Sequence, residues 1–275
     1  MKQKLLSVLI CLSILLIGCN QVLDDKNQNL KVTFIDVGQG DAILLECNGQ
    51  NMLIDGGSAY TNNMYFTLKE KEINKLEYVF CSHFDEDHIG GLILTLPEIE
   101  VKKYYCPSSG KNTKTYNDFT NVVEKKSGKL ETPKKDDEFN LGEAKIKVLA
   151  VDTDPRGGND SSMVLKVTYG NVKFLFTGDA ENLTIDYLLN NYSDLKCDVL
   201  KVAHHGAKNS SPKKFISAVK PRYAVISVGA NNRYNHPDEE TTSILSELNI
   251  KTFITSVNGT VIFETDGNNL TYSFK

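Results

Sequence analysis

Residues 82–91 (SHFDEDHIGG) contain four side chains of the kinds that bind metal ions in proteins, namely His83, Asp85, Asp87 and His88. They follow an apolar run at 78–81 that predicts a strand, so we expect them on a loop at that strand's carboxyl end. Two carboxylates this close repel each other unless a cation lies between them. The pattern therefore indicates a site for one or two divalent cations. The alternative is a solvated acidic loop with incidental histidines.

Three later segments place similar side chains after apolar strands. Asp179 follows the run at 174–176, His204 and His205 follow the run at 199–203, and His236 follows the run at 224–228. All five histidines of the chain therefore lie at or shortly after predicted strands. Structural histidines would be scattered over helix faces and surface loops, so this placement favours a single site built from strand ends.

Short β-branched and aromatic runs alternate with helical patterns along the chain. They predict two sheets packed face to face with helices outside, in one domain. Region 111–137 is lysine-rich, which predicts a helix followed by a surface loop. Strands are predicted at 32–37, 42–47, 52–54, 78–82, 144–151, 163–169, 172–177, 199–203, 223–228, 252–255 and 260–264, and helices at 63–73, 183–190, 212–219 and 239–248.

The composition is that of a globular protein rather than a disordered or polytopic membrane protein, with 40% hydrophobic and 24% charged residues among 275. The net charge of −4 excludes the broad basic surface of a non-catalytic DNA-binding protein, although a local basic groove stays possible. Cys47, Cys81, Cys106 and Cys197 lack metal-site spacing and are expected as buried thiols.

The first residues are typical of a secretory signal. Lys2 and Lys4 precede an apolar run at 5–17, which is too short for an ordinary transmembrane helix. The run ends in LIGC, which resembles the lipobox of bacterial lipoproteins, in which the cysteine, Cys19 in this chain, is acylated. We therefore expect a signal peptide at 1–18, a flexible tether at 19–30 and the catalytic domain at 31–275. The alternative is an uncleaved membrane anchor with a chance cysteine.

The ordered motifs resemble those of the metallo-β-lactamase fold, and more narrowly the hydrolase domain of ComEC-type competence proteins. The resemblance spans residues 31–265 and rests on the stretches 34–42, 55–57, 82–91, 159–165, 177–179, 200–206 and 233–237. It implies an α/β fold, a four-layer αββα sandwich, with a dinuclear site at the shared edge of its two sheets. Two divalent ions, Zn²⁺ or Mn²⁺, are then expected as cofactors.

Two departures from the wider fold affect the expected ligands. Asp85 stands where the common motif has its second histidine, and no histidine lies between His88 and His204. The resemblance then implies one site of His83, Asp85 and bridging Asp179, with Asp160 or a water. The second site would hold Asp87, His88, Asp179 and one of His204 and His205. Such carboxylate-rich sites favour harder ions, so Mn²⁺ competes with Zn²⁺.

Several polar residues near these motifs have expected supporting roles. Asp55 is expected to hydrogen-bond a ligand histidine, and Asp87 to bind metal and orient the nucleophile. His236 is expected to contact substrate or protonate the leaving group, or else to pack within its loop. Asp36 and Asp41 are expected to shape the glycine turn between them. Lys201 and Lys208 are candidates for phosphate contacts, with a solvated lysine favoured for each.

The leading hypothesis is a secreted, lipid-anchored metal-dependent hydrolase of phosphodiesters, with DNA or RNA as substrate and the membrane reached through the lipid. The substrate rests on analogy with the competence proteins. A second hypothesis is hydrolysis of phosphocholine or another cell-wall phosphodiester. Lactam hydrolysis is disfavoured because the histidine-rich first site is missing. A non-catalytic metal-binding lipoprotein is the third possibility. No protein partner is expected.

Overall fold

Fifteen strands and seven helices follow one another through the described part of the chain, residues 29–154 and 156–275 of this computed structural model. The strands are β1 (Leu30–Phe34), β2 (Ile43–Cys47), β3 (Gln50–Ile54), β4 (Lys75–Phe80), β5 (Glu100–Tyr105), β6 (Leu130–Glu131), β7 (Glu138–Leu141), β8 (Ala144–Ala150), β9 (Val164–Tyr169), β10 (Val172–Phe176), β11 (Val199–Lys201), β12 (Tyr223–Ile226), β13 (Lys251–Ile254), β14 (Val261–Thr265) and β15 (Leu270–Phe274). The helices are α1 (Asn63–Glu70), α2 (Glu86–Thr95), α3 (Lys114–Lys125), α4 (Asn182–Asn191), α5 (Lys213–Val219), α6 (Glu239–Glu247) and α7 (Thr255–Asn258).

The strands form two mixed sheets. The first has eight strands in the order β15-β14-β1-β2-β3-β4-β5-β6, and the second has seven in the order β13-β12-β11-β10-β9-β8-β7. Strands β3, β4, β5 and β6 run parallel within the first sheet, as β10, β11, β12 and β13 do within the second. Parallel neighbours carry their carboxyl ends to the same edge, which prepares that edge for a site.

The two sheets pack against each other through alternating apolar side chains. In β2, Ile43 and Leu45 point into a core shared with Val167 and Phe174 of the second sheet. Leu44, between them in sequence, instead packs on the opposite face of the first sheet. This alternation follows from the two-residue period of a strand and gives each sheet two buried faces.

Helices cover the outer face of each sheet. Helices α1, α2 and α3 bury Leu68, Leu92 and Phe119 against the first sheet, while α4 and α5 bury Leu188 and Phe215 against the second. The order of layers is therefore helix, sheet, sheet, helix. The predicted αββα sandwich is confirmed.

Four strands were not predicted from the sequence, namely β5, β6, β7 and β15. Strands β6 and β15 end the first sheet and β7 ends the second, while β5 is largely solvent-facing, with Glu100, Lys102 and Lys103 exposed. Strands at or near a sheet edge bury few side chains and so carry little apolar pattern. Region 111–137 contains the predicted helix, α3, but the following segment forms β6 rather than only a loop.

The predicted signal peptide, Cys19 and nearly all of the tether lie outside the described residues. Within the described residues, no helix is long and apolar enough to cross a membrane. Cys47, Cys81, Cys106 and Cys197 are buried and free, as expected from the sequence.

Candidate metal centre

Ligand-type side chains from both sheets meet at the edge where parallel strands end. His83 follows β4 in the first sheet, whereas Asp179 follows β10 and His205 follows β11 in the second. Because the two sheets face each other, these strand ends lie on either side of one cleft. The site therefore exists only when both sheets are packed.

Asp87 and His88 lie on the first turn of α2, not on a loop, which corrects the prediction for this motif. The helix begins at Glu86, and Asp85 is its N-cap residue with extended backbone. Acidic residues stabilise the positive end of a helix, so the acidic character of the motif promotes this early start. The helix then holds Asp87 and His88 in fixed orientations.

Two glycines allow α2 to approach the strand ends closely. A Cβ atom on Gly91 would lie 2.1 Å from the carbonyl oxygen of Gly56, and one on Gly40 would lie 2.0 Å from that of Asp87. Backbone hydrogen bonds use this proximity, because the amide of Gly56 donates to the carbonyl of His88 at 2.6 Å. The first turn of α2 is thus attached to both neighbouring loops.

Asp179 lies at the centre of the cluster. Its Oδ1 is 3.3 Å from Nε2 of His88. Its Oδ2 is 3.4 Å from Nε2 of His205, 3.7 Å from Nε2 of His204 and 3.9 Å from Nε2 of His83. Asp87 joins from the opposite side, with Oδ2 3.3 Å from Nε2 of His205. Four of the five histidines therefore surround Asp179, the aspartate predicted to bridge the two sites.

Three sets of ligand atoms converge closely enough to hold a cation, and all of them include His88. Two face the cleft, namely His83, His88 and Asp179, and Asp87, His88 and His205; the third, Asp41, Asp55 and His88, lies behind His88. Nε2 of His83, His88 and His205 and Oδ1 of Asp179 are buried without a hydrogen-bond partner, which is costly unless something binds them. Imidazole and carboxylate donors suit divalent ions such as Zn²⁺ and Mn²⁺. These residues therefore fit divalent metal.

Asp85 is less closely integrated into the cluster than expected. Its Oδ1 is 3.8 Å from Nε2 of His83, but the same carboxylate forms an ion pair with Lys111. Lys111 precedes α3 and is half-buried, and this burial lowers the pKa of its ammonium group. Sequence reasoning treated Lys111 as part of a polar surface region and missed this contact, since only the fold brings the two residues together.

Asp55 and Ser82 hold His88 from behind. Oδ2 of Asp55 lies 2.9 Å from Nδ1 of His88 and accepts a 2.6 Å hydrogen bond from the hydroxyl of Ser82. Oδ1 of Asp55 accepts a 2.7 Å bond from the backbone amide of Ser82. This is the placement expected for Asp55, and it turns Nε2 of His88 towards Asp179.

A buried ion pair lies beneath the cluster, between Lys201 and Asp41. Lys201 is fully buried and its Nζ is 2.5 Å from Oδ2 of Asp41, so both the solvated lysine that was favoured and the alternative phosphate contact are wrong for Lys201. Asp41 does more than shape a turn, because its Oδ1 lies 3.5 Å from Nδ1 of His205. Lys208 remains at the surface, 63% exposed and 3.7 Å from Glu240.

His205 and His204 have different surroundings. His205 is buried, and its Nδ1 donates to the carbonyl of Ser227 at 2.7 Å, which directs Nε2 towards Asp87 and Asp179. His204 is 25% exposed, with Nδ1 3.1 Å from Glu181. The geometry therefore favours His205 as the inner ligand and places His204 at the mouth of the cleft.

His236 and Asp160 lie further from the cluster. The His236 ring is 5.6 Å from that of His204, at the mouth of the cleft. The Asp160 carboxylate accepts hydrogen bonds of 2.9 Å from the backbone amides of Glu181 and Thr184. Its oxygens are thus used to hold the start of α4, which corrects the ligand role considered for Asp160 and leaves it positioning Glu181 beside His204.

In the metal-free protein, His88 and His205 share stabilising charge interactions with the aspartates, whereas burial and the charge of His88 lower the pKa of His83. Burial lowers the pKa of His205, but the carboxylates of Asp179 and Asp87 outweigh it and raise that pKa to about 9. His88 behaves similarly, since Asp179 and Asp55 raise its pKa well above the usual value despite burial. The same histidines hold the pKa of the Asp179 carboxyl well below its usual range, although burial opposes this. A divalent cation would replace these protons.

The sequence of residues 35–230 matches the family described as "Metallo-beta-lactamase superfamily". Among curated proteins, the chain is 31% identical over 251 residues to "ComE operon protein 3" of Bacillus subtilis, covering 84% of this chain and 32% of that protein. It is 28% identical over 235 residues to "Competence protein ComA" of Neisseria gonorrhoeae, again covering 84% and 32%. The chain thus spans about a third of the length of these relatives.

Solved structures show the same fold at low sequence identity. A metallo-beta-lactamase fold protein from Bacillus subtilis, YhfI, is 16% identical with a TM-score of 0.58, covering 86% of this chain and 100% of that one. A diphosphatase of the PhnP family is 15% identical with a TM-score of 0.51, covering 86% and 98%. At this identity the likeness concerns the fold alone.

Proposed function

The chain belongs to the metallo-beta-lactamase superfamily, and from this membership and the geometry of its cleft we propose that it is a dinuclear metal-dependent phosphodiesterase. The observation that carries the proposal is the set of buried, unpartnered ligand atoms around Asp179. Buried polar atoms without a hydrogen-bond partner need an explanation, and for a cluster of imidazole and carboxylate atoms a bound cation supplies it. The proposal of two ions rests on Asp179, whose Oδ1 faces His88 while its Oδ2 faces His83 and His205, so that one carboxylate can serve two ions.

His83, His88, Asp179, Asp87 and His205 would hold the ions, with Asp85 and His204 at the margin. Divalent cations at such a site activate water as a nucleophile and stabilise negative charge that develops on phosphate oxygens. Asp87 is the residue best placed to do more than bind metal, because it also lines a groove open to solvent. Burial raises the pKa of Asp87, but His205 and His88 outweigh it and hold it well below the usual range. Asp87 therefore stays a carboxylate that accepts a hydrogen bond from the attacking water.

His236 is the candidate donor to the leaving group. It lies at the mouth of the cleft beside His204, and the loop that carries it is held by Asn232, whose side chain donates to the carbonyl of His236 at 2.6 Å. Burial and the charges of His204 and His205 lower the pKa of His236. The lowered pKa leaves His236 mostly neutral at pH 7, so its role as a donor requires the negative charge of a bound substrate to favour the protonated imidazole.

The name of one relative supports nucleic acid as the substrate. Competence is the uptake of DNA, and one of the similar proteins is named a competence protein. This chain corresponds to about a third of each relative. We therefore propose nucleic acid as its substrate but propose no role in DNA uptake.

The location proposed for the protein is outside the cytoplasm, anchored to the membrane by lipid on Cys19. The support is the LIGC sequence at residues 16–19 after a short apolar run. Substituting Cys19→Ser should abolish labelling by a radioactive fatty acid and leave unprocessed precursor. Equal labelling of this variant would exclude lipid attachment at Cys19.

The experiment that tests the proposed function combines metal analysis with an assay. Purified protein should bind up to two equivalents of Zn²⁺ or Mn²⁺ and hydrolyse bis-(p-nitrophenyl) phosphate in their presence. Asp179→Ala should reduce the metal content, since this carboxylate faces both ligand sets of the cleft. Protein that binds neither ion when both are supplied would contradict the proposal.

A further inference from the structure

A groove of about 500 Å³ opens beside the metal centre. Asp85 and Asp87 line its inner side, and Tyr60 and Tyr234 line it nearer the surface. Few large apolar side chains of the described residues are exposed, and these two tyrosines are among them, at 90% and 47%. Exposed aromatic rings beside a catalytic cleft indicate a surface for flat ligands.

Tyr234 is connected to the metal centre through a row of rings. Its ring lies 5.7 Å from that of His236 at an interplanar angle of 17°, which is a stacked arrangement. The His236 ring lies 5.6 Å from that of His204, and His204 approaches Asp179. The Tyr234 ring, which is 47% exposed, is thus held beside the cleft.

The loop that presents Tyr234 is rigidly organised. The side-chain nitrogen Nδ2 of Asn232 donates to the carbonyls of Gly229 and His236, at 3.0 and 2.6 Å. Its side-chain oxygen accepts from the backbone amides of Tyr234 and His236, at 3.2 and 3.0 Å. One side chain therefore closes the loop through four hydrogen bonds, so little ordering is needed when a ligand binds.

Arg233 supplies positive charge at the same place. Its guanidinium carbon lies 4.7 Å from the centre of the Tyr234 ring, and Nη2 donates to the Tyr234 hydroxyl at 2.5 Å. A guanidinium stacked on an aromatic ring keeps its other donors free for a phosphate. The groove thus combines a ring with an adjacent phosphate-binding group.

Tyr60 is fixed to the other side of the groove. Its backbone amide donates to the hydroxyl of Ser58 at 3.2 Å, and that hydroxyl donates to Glu86 at 2.9 Å. Glu86 also accepts from the backbone amide of Ala59 at 2.8 Å. The backbone that carries Tyr60 is therefore attached to the turn of α2 that carries Asp87.

We propose that Tyr60 and Tyr234 are stacking platforms for unpaired bases on either side of the scissile linkage, and that Arg233 binds a neighbouring phosphate. This inference rests on the proposed function and specifies its substrate as single-stranded nucleic acid. Bases in a duplex are already stacked on each other and cannot cover both rings. The groove carries Asp85, Glu86 and Asp87 beside Arg233, so a polyanion binds there only when divalent cations neutralise the aspartates of the metal centre.

The test measures initial rates with a ten-nucleotide oligothymidylate and with bis-(p-nitrophenyl) phosphate, using the metal-loaded full domain. Stacking on one aromatic side chain contributes about a tenfold gain in affinity for a base. Tyr60→Ala should therefore raise KM for the oligonucleotide about tenfold with little change in kcat, and Tyr60→Phe should restore it. Arg233→Ala should flatten the salt dependence of KM, by a slope of about 0.7 for one single-strand phosphate. Phe66→Ala is the matched control, because Phe66 is 58% exposed and does not line the groove.

The possible outcomes separate the two claims. An enzyme that cleaves the oligonucleotide, but for which Tyr60→Ala and Tyr234→Leu keep the wild-type KM, overturns the stacking platforms and leaves the hydrolase in place. An equal KM for duplex and single-stranded DNA would also overturn the stacking platforms. The same holds if the tyrosine variants impair the hydrolysis of p-nitrophenyl phosphorylcholine instead of the oligonucleotide. A metal-loaded protein that cleaves neither the oligonucleotide nor the small ester contradicts the proposed function itself.

Discussion

The ammonium group of Lys201 lies 2.5 Å from the carboxylate of Asp41, and both side chains are at most 2% exposed. Lys201 also donates to the carbonyl of Gly178 at 3.3 Å, next to Asp179. Asp41 in turn lies 3.5 Å from Nδ1 of His205 and 3.9 Å from Nδ1 of His88. The ion pair therefore supports three of the ligand residues from below, and neither of its members reaches the substrate groove.

Lys201→Met should destabilise the metal-free protein, since it removes one partner of a buried ion pair and leaves the Asp41 carboxylate without compensation. The expected loss in free energy of unfolding is about 3 kcal/mol, measured by urea denaturation. The double variant Asp41→Asn/Lys201→Met should recover much of this loss. Lys208→Met is the control, because Lys208 is exposed and surface substitutions change stability by about 0.5 kcal/mol or less. A single Lys201→Met variant as stable as wild type would show that the pair has no structural role.

Asp55→Asn should weaken metal binding without changing the size of the side chain. Asp55 accepts two hydrogen bonds from Ser82 and lies 2.9 Å from Nδ1 of His88, an arrangement that an amide reproduces only in part. Loss of such a partner typically lowers metal affinity about 10- to 100-fold. Titration against a coloured chelator measures the change. Asp118→Asn, at a surface ion pair with Lys114, should leave affinity unaltered, and equal affinities for both variants would argue against this support.

The metal-free protein should lose stability as the pH rises from 6.5 to 9. The pKa of His205 is about 9 in the fold against an ordinary value of 6.5, so the folded state binds its proton more tightly than the unfolded state. A raised pKa contributes stability that is fully present below pH 6.5 and is lost as the pH passes through 9. The difference corresponds to about 3 kcal/mol. His88, whose pKa is also raised, acts in the same direction.

Urea denaturation in EDTA at several pH values measures this effect. His205→Gln should make the decline smaller, with the contribution of His88 remaining, whereas His236→Gln, whose histidine has a lowered pKa, should retain the full decline. Stability that stays constant or increases over this pH range would contradict the charge arrangement described for the cluster.

His83 and Asp179 could be placed at one cleft from the sequence because each follows shortly after an apolar strand. His83 after β4 and Asp179 after β10 needed only the topology to bring them together. The contacts that support the ligand residues were harder to predict from the sequence. Lys201 and Asp41 are 160 positions apart, and a lysine in sequence gives no sign of burial, except that it ends an otherwise apolar strand, β11. The start of α2 was missed because its two glycines weaken the helical pattern, although they allow its close packing.

The most direct test of the central claim, that the cleft is a metal-dependent hydrolytic centre, is the turnover of bis-(p-nitrophenyl) phosphate by Asp87→Asn. Asp87 lies 3.3 Å from His205 and lines the groove, so this variant keeps the size of the side chain but loses the charge that binds metal and accepts a hydrogen bond from water. Each 1.36 kcal/mol of lost stabilisation slows a reaction about tenfold, and we expect kcat to fall roughly a hundredfold or more. Circular dichroism must show that the variant is folded. A folded Asp87→Asn protein that hydrolyses the ester at the wild-type rate would contradict the account.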